Sequence, residues 1–317
     1  IIVSSSLLVL AVSYPFSKQI FEFYNASGII LEYCVEYYKI RIFGFPFSLF
    51  VFAVFGTFRG LQNTFYPMII AVIGAVLNIV LDFTFVYGIE GIIPAMNLKG
   101  AAYASVISQI TMAITAGILL IKKTPISLKV TFPFNKESTR LVGMILNLFV
   151  RTIALNTALY FGTAYATSYG NEYIAAYTIG LNIWLLGAFC IDGYSSAGNI
   201  LSGKLLGAKE YKSLLRLSNK LLLYGFLTGV FMAVVGFAFY TPIGRIFTKD
   251  PLVLEQFYIS FWIILAMQPL CGITFVFDAM FKGMGEMKFL RNLLILSTGL
   301  IFIPSLLLLD AFDLRLQ

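Results

Sequence analysis

Few side chains in this sequence can do chemistry, and the ones that stand out are embedded in apolar runs. Asp82 lies in the stretch Ile79-Val80-Leu81-Asp82-Phe83, with Asn78 four positions earlier. If the stretch is a helix, the two share a face. An ionisable group inside a membrane span costs several kcal/mol unless it is paired or wetted. A carboxylate held there suits the loading and release of a proton or cation, and a structural bond between helices is the alternative. Arg151 and Asp192 are the central charges of two successive apolar stretches. An ion pair between them would reduce the desolvation penalty of each, either as a structural link or as part of a substrate path. Asp278 stands four residues before Lys282, the spacing of an i,i+4 ion pair.

Other chemistries lack their parts. Histidine is absent, which removes most nucleophile–base, haem and zinc arrangements. The three cysteines, Cys34, Cys190 and Cys271, are scattered without a CxxC pair, so the reading is no metal site and no disulfide framework. With no histidine and no acids at a fixed catalytic spacing, the sequence reads as a non-enzyme with no cofactor.

The elements that must position these residues are transmembrane helices. The chain has 317 residues, 59% hydrophobic and 12% charged, with a mean hydropathy of +0.89. Soluble domains carry about twice that share of charge. At about 20 apolar residues per crossing, nine spans are expected: 1–23, 36–58, 66–88, 98–121, 140–165, 172–201, 213–240, 254–281 and 288–309. Asp82 then lies about 24 Å along its helix at about 1.5 Å per residue.

Loop charge orients them. Arg59; Lys122, Lys123, Lys129, Lys136 and Arg140; Lys204, Lys209, Lys212, Arg216 and Lys220; and Lys282, Lys288 and Arg291 fall on one side, 14 basic residues against three acids. That side is expected to be cytoplasmic. The opposite side collects Glu22, Glu32, Glu36, Glu90, Glu172, Asp250 and Glu255. The net charge of +7 is thereby a topology signal, and nucleic acid is not an expected partner.

The chain also repeats. Phe45-Pro46 through Phe58-Arg59-Gly60-Leu61 matches Gln268-Pro269 through Phe281-Lys282-Gly283-Met284 at an offset of 223 positions. A repeat in one membrane orientation predicts two parallel bundles related by an axis along the membrane normal. The expected fold is therefore an all-α polytopic membrane protein of two six-helix bundles, with about nine of twelve helices present. Residues 1–121 form the first bundle, 122–139 a cytoplasmic linker and 140–317 the second bundle. By the same offset, the first two helices and the last are expected to lie outside this sequence, which on its own is not expected to transport.

These stretches carry a resemblance. Phe58-Arg59-Gly60-Leu61-Gln62-Asn63-Thr64-Phe65-Tyr66-Pro67, Asn78 to Asp82 ending at Gly88, and Lys99-Gly100-Ala101-Ala102-Tyr103-Ala104-Ser105 followed by Ser108-Gln109 resemble the fourth-to-sixth helices of the multidrug and toxin extrusion (MATE) family. Asp192-Gly193-Tyr194-Ser195-Ser196-Ala197, Gly203-Lys204-Leu205-Leu206-Gly207-Ala208 and Phe277-Asp278-Ala279-Met280-Phe281-Lys282-Gly283 are similar to its eighth and tenth. Arg151, Asp192 and Asp278 together resemble the DinF-type branch. One position departs: Asn199 stands where that branch usually has a glutamate.

The resemblance implies a secondary active antiporter that exports amphipathic organic compounds, drugs or metabolites, in exchange for protons or sodium. Asp82, Asn78, Tyr37 and Ser105 would belong to a first-half ion or substrate cavity, and Arg151, Asp192 and Asp278 to the second half. Tyr38 is a further candidate for the first cavity, although packing is the commoner fate of such tyrosines. Gly203 and Gly207 have GxxxG spacing, which more often marks close helix packing. The implied partners are a small-molecule substrate and the lipid bilayer, in a monomer of the plasma (bacterial inner) membrane. The alternative is a lipid-linked oligosaccharide flippase of the same architecture, which needs several cavity cations where this chain offers Arg151.

Overall fold

The computed structural model describes residues 2–23, 27–89, 91–125 and 136–312. They form two compact units, residues 1–130 and 131–317. The middle of the expected linker, 126–135, lies outside the described residues, as do Lys129 and Glu90. At its two ends the expected linker is helical, since α6 continues to Lys123 and α7 begins at Lys136.

Unit 1 contains α1 (Ile2–Ser13), α2 (Ser17–Phe23), α3 (Gly28–Arg41), a 3-10 turn (Ile42–Gly44), α4 (Phe45–Gly60), α5 (Phe65–Val86) and α6 (Asn97–Lys123). Unit 2 contains α7 (Lys136–Tyr169), α8 (Asn171–Gly207), α9 (Tyr211–Ala238), α10 (Tyr240–Phe247), α11 (Pro251–Met284) and α12 (Met287–Leu296). A π-helical turn (Ser297–Phe302) then leads into α13 (Ile303–Ala311).

Among the described residues, eight helical stretches are long and apolar enough to cross a membrane, where nine spans were expected. The difference is the 1–23 stretch, which breaks at Tyr14-Pro15-Phe16 into α1 and α2. Proline lacks the N–H and its ring clashes with the preceding turn, so a continuous helix there is costly. The expected 36–58 span begins earlier, because α3, the 3-10 turn and α4 form one stretch, Gly28–Gly60.

The repeat is visible element by element. The offset of 223 places Gly28 on Pro251 and Gly60 on Gly283, so the α3–α4 stretch corresponds to α11. It likewise places α5 on α12–α13, and the α1/α2 break on the α9/α10 break. The turns agree in their hydrogen bonds. Asn63 N–H donates to Phe58 O at 2.9 Å, and Glu286 N–H to Phe281 O at 3.0 Å. The residue before each has positive φ, Gln62 at 60° and Gly285 at 84°. This is the left-handed C-terminal stop that ends many helices, kept in both copies although one uses glutamine.

Each unit is held by small cores and otherwise presents apolar side chains outward, as a lipid-facing surface does. In unit 1 Val51, Val54 and Phe58 of α4 pack on Ile70 of α5 and Ala113, Ala116 and Leu120 of α6. In unit 2 Ala176 and Ile179 of α8 meet Val253, Phe257, Phe261 and Leu265 of α11. Glycines let the unit 2 helices approach closely. A Cβ on Gly272 of α11 would collide with the Gly225 carbonyl oxygen of α9, and one on Gly203 would stand 2.7 Å from the Gly283 oxygen. Gly207 has open space around it, so Gly203 alone of the GxxxG pair serves packing.

Candidate functional site

In unit 1 the site is built on the α5–α6 pair. A Cβ on Gly74 of α5 would meet Met112 of α6, and one on Gly100 of α6 would meet the Phe85 carbonyl of α5. The helices are therefore antiparallel, in a register that sets Asn78 level with Ser108 and Asp82 level with Ala104 and Ser105. The Ser108 hydroxyl donates to the Ala104 carbonyl at 2.8 Å, which satisfies it within its own helix. Asn78 and Asp82 are not satisfied in this way. The Asn78 amide nitrogen and the Asp82 Oδ1 are both buried and have no hydrogen-bond partner. The Asn78 amide nitrogen therefore makes no hydrogen bond to Asp82, although the two share a helix face. Instead the pair offers one donor and one acceptor to something else, since buried polar atoms are rarely left unsatisfied.

A third such atom was missed from sequence. Gln109 Oε1 is buried and unpartnered, and it fills the space beside Gly44 that a Cβ would otherwise take. The signal was present as Ser108-Gln109, a polar pair inside an apolar span. Tyr37 is half-buried on α3, next to Glu36, whose carboxylate accepts from Lys99 of α6 at 2.6 Å. That pair ties α3 to α6 one end of the helix away from Asn78. Ser105 is half-buried on α6. Tyr38 packs edge-on against Phe21 with ring centres 5.6 Å apart.

In unit 2 Arg151 pairs with Asp278 and not with Asp192, a correction to the sequence expectation. The Arg151 Nη2 donates to Asp278 Oδ1 at 2.5 Å, and Lys282 Nζ lies 2.5 Å from the other oxygen, Oδ2. One carboxylate thus holds two cations. Asp192 is exposed because α8 packs through Gly187, Ile191, Ser195 and Gly198, and residue 192 lies about 100° round the helix from residue 191. A turn before Arg151, Asn147 Oδ1 accepts from Arg291 Nη1 at 2.6 Å, which joins α7 to α12. Asn199, the position that departs from the branch pattern, is half-buried, and its carbonyl packs against Gly283. Among the described residues no group of histidines, cysteines and carboxylates has the geometry to hold a metal ion.

Long apolar helices in two repeat-related units, with polar atoms buried at depth, define a polytopic α-helical membrane protein. The MatE family model matches residues 1–84 and 148–307, and the chain belongs to that family. Protein DETOXIFICATION 43 of Arabidopsis thaliana is 32% identical over 257 residues, covering 80% of this chain and 47% of that protein. Multidrug export protein MepA of Staphylococcus aureus is 24% identical, covering 98% of this chain and 68% of that protein. The fold is similar to the crystal structure of the Vibrio cholerae MATE transporter VcmN in its bent form, with a TM-score of 0.86 at 17% identity, covering 97% of this chain and 69% of that one. The chain spans about half the length of the DETOXIFICATION proteins it matches.

Proposed function

We propose that the complete protein is a secondary active antiporter of the plasma (bacterial inner) membrane, working as a monomer. It exports amphipathic organic compounds in exchange for protons or sodium. The observation that carries this reading is the Asp82 carboxylate, whose Oδ1 is buried beside the equally unpartnered Asn78 amide nitrogen. A charge held there is expensive, so a proton or cation that relieves it binds with a free energy the protein can couple to a change of access. Family membership and a relative named as a multidrug exporter support the same reading. The flippase alternative needs cavity cations free to meet an anionic headgroup, and Arg151 is already committed to Asp278.

The test is transport by the complete protein in vesicles with an imposed proton or sodium gradient. Asp82→Asn is expected to abolish gradient-driven efflux while leaving expression and thermal stability nearly unchanged. Normal gradient-dependent efflux by that variant would move Asp82 to a structural role and end the coupling assignment.

A further inference from the structure

Where α7 and α12 begin side by side, unit 2 carries a group of cations at its rim. Lys288 and Arg291 stand three positions apart on α12 and so share a face. From α7, Arg140 Nη2 lies 3.9 Å from the position a Cβ on Gly285 would take, just before α12 starts. Lys288 and Arg140 are exposed, and Arg291 is half-buried. Among the described residues the Arg291 guanidinium meets no carboxylate, whereas Arg151, one turn beyond Asn147 on α7, has Asp278.

Neutral groups hold this guanidinium in place. Its Nη1 donates to Asn147 Oδ1 at 2.6 Å, and its Nε and Nη2 donate to Asn292 Oδ1 at 3.0 and 2.7 Å. Asn147 is itself fixed, because its Nδ2 donates to the Gly143 carbonyl at 2.7 Å. A guanidinium has five N–H donors, so two remain, and neither asparagine cancels its charge. A cation that only sets insertion needs no such seat, since the positive-inside bias depends on charge and not on side-chain geometry. A fixed, planar, unneutralised guanidinium suits the oxygens of a phosphate.

The surroundings decide which phosphate. Arg291 stands about 6 Å from the start of α12, at about 1.5 Å per residue, where a membrane helix meets the lipid headgroups. Ile295, one turn further along the same face, is apolar and exposed, so a headgroup held at Arg291 leads into a path for an acyl chain. α12 carries no acid, and Glu286 just before it lies about 140° round the helix from Arg291. A headgroup ammonium therefore has no counter-charge on this face, and a net anion is favoured. The fold itself does not require these cations. At the 223 offset Lys288 and Arg291 fall on Phe65 and Met68, which are apolar and exposed in unit 1.

We infer that the α7–α12 rim binds the phosphate of an anionic phospholipid, with Arg291 as its anchor and Lys288 and Arg140 beside it. The site belongs to unit 2 alone and does not rest on the antiporter reading.

Native mass spectrometry tests this on the complete protein, delipidated in detergent and titrated with phosphatidylglycerol or phosphatidylcholine. Phosphatidylglycerol is expected to fill one site ahead of any other, and phosphatidylcholine to bind there at least about tenfold more weakly. Arg291→Gln should weaken that site about tenfold, through loss of a charge-assisted hydrogen bond, and Lys288→Gln about fivefold. Asn147→Leu changes no charge but frees Arg291 from its seat, and should weaken binding about threefold. Arg291→Lys, which keeps the charge without the planar fork, should do the same, about threefold, and carries the test if Asn147→Leu does not fold. Lys212→Gln, which removes a cation at the start of α9, should leave the site unchanged. Equal losses for Arg291→Gln and Lys212→Gln would mean diffuse attraction and overturn the assignment. So would full binding by both Asn147→Leu and Arg291→Lys, or equal affinity for the two lipids. Displacement of the lipid by glycerol 1-phosphate would make the occupant a soluble phosphate and overturn the lipid assignment.

Discussion

The Asp278 carboxylate is bracketed by Arg151 and Lys282, and with Arg151 19% and Asp278 18% exposed, neither charge is well hydrated. Removing one partner of such a pair leaves the other uncompensated, whereas replacing both by apolar groups restores much of the loss. Arg151→Met is therefore expected to destabilise unit 2 by about 3 kcal/mol, while the double variant Arg151→Met with Asp278→Leu recovers more than half of that. Thermal or denaturant unfolding of the two single variants and the double variant in detergent checks this cycle. Equal losses that simply add would show the pair to be energetically idle. Lys282, which is more exposed, should matter less, because hydrated ion pairs contribute little. Asn78 differs in kind. It makes no bond to Asp82 in this structure, so on the proposed antiporter reading its contribution is expected when a cation or proton arrives between them. Deleting one neutral ligand of a bound ion costs about 1–2 kcal/mol. Asn78→Ala should then raise the ion concentration for half-maximal transport about tenfold, without abolishing efflux. A gradient titration of transport in vesicles measures it. An unchanged midpoint would take Asn78 out of the ion site.

Among the elements, glycine contacts decide which helices are neighbours. The Gly225–Gly272 approach brings α9 and α11 together backbone to backbone, and a single methyl there has nowhere to go. Gly272→Ala is expected to cost about 2 kcal/mol, in the range found for overpacking. Gly193, on the exposed side of α8, has open space where an added Cβ would stand, and alanine is the better helix former. Gly193→Ala should be neutral or slightly stabilising. Comparing the two melting temperatures tests the packing directly, and a similar small effect at both sites would contradict it.

For the whole molecule the basic loops predict the insertion. Glu172 opens α8 and Lys212 follows its end. At about 1.5 Å per residue that helix is longer than the roughly 30 Å hydrocarbon core. With Cys34, Cys190 and Cys271 replaced, a single cysteine at Lys212 should react with an impermeant maleimide only from the cytoplasmic side, and one at Glu172 only from outside. Labelling of both from one face would overturn the topology drawn from loop charge.

Whatever depends on local content and spacing was legible in the residues alone. Apolar length marked most of the spans. The 223-residue offset matched elements that the structure shows in both units, down to the Phe58/Asn63 and Phe281/Glu286 turn bonds. The Asp278–Lys282 pair was also legible, because both partners lie on one helix. Contacts between helices were not, and needed the folded chain. Arg151 of α7 reaches Asp278 of α11 with its long side chain, while Asp192 is turned off the packed side of α8 by about one residue's rotation. The unsatisfied Gln109 and the Asn147–Arg291 bond depend equally on which helix faces which. Helical periodicity supplies the candidates on a helix, but glycine approaches and ridge packing between helices choose the partner.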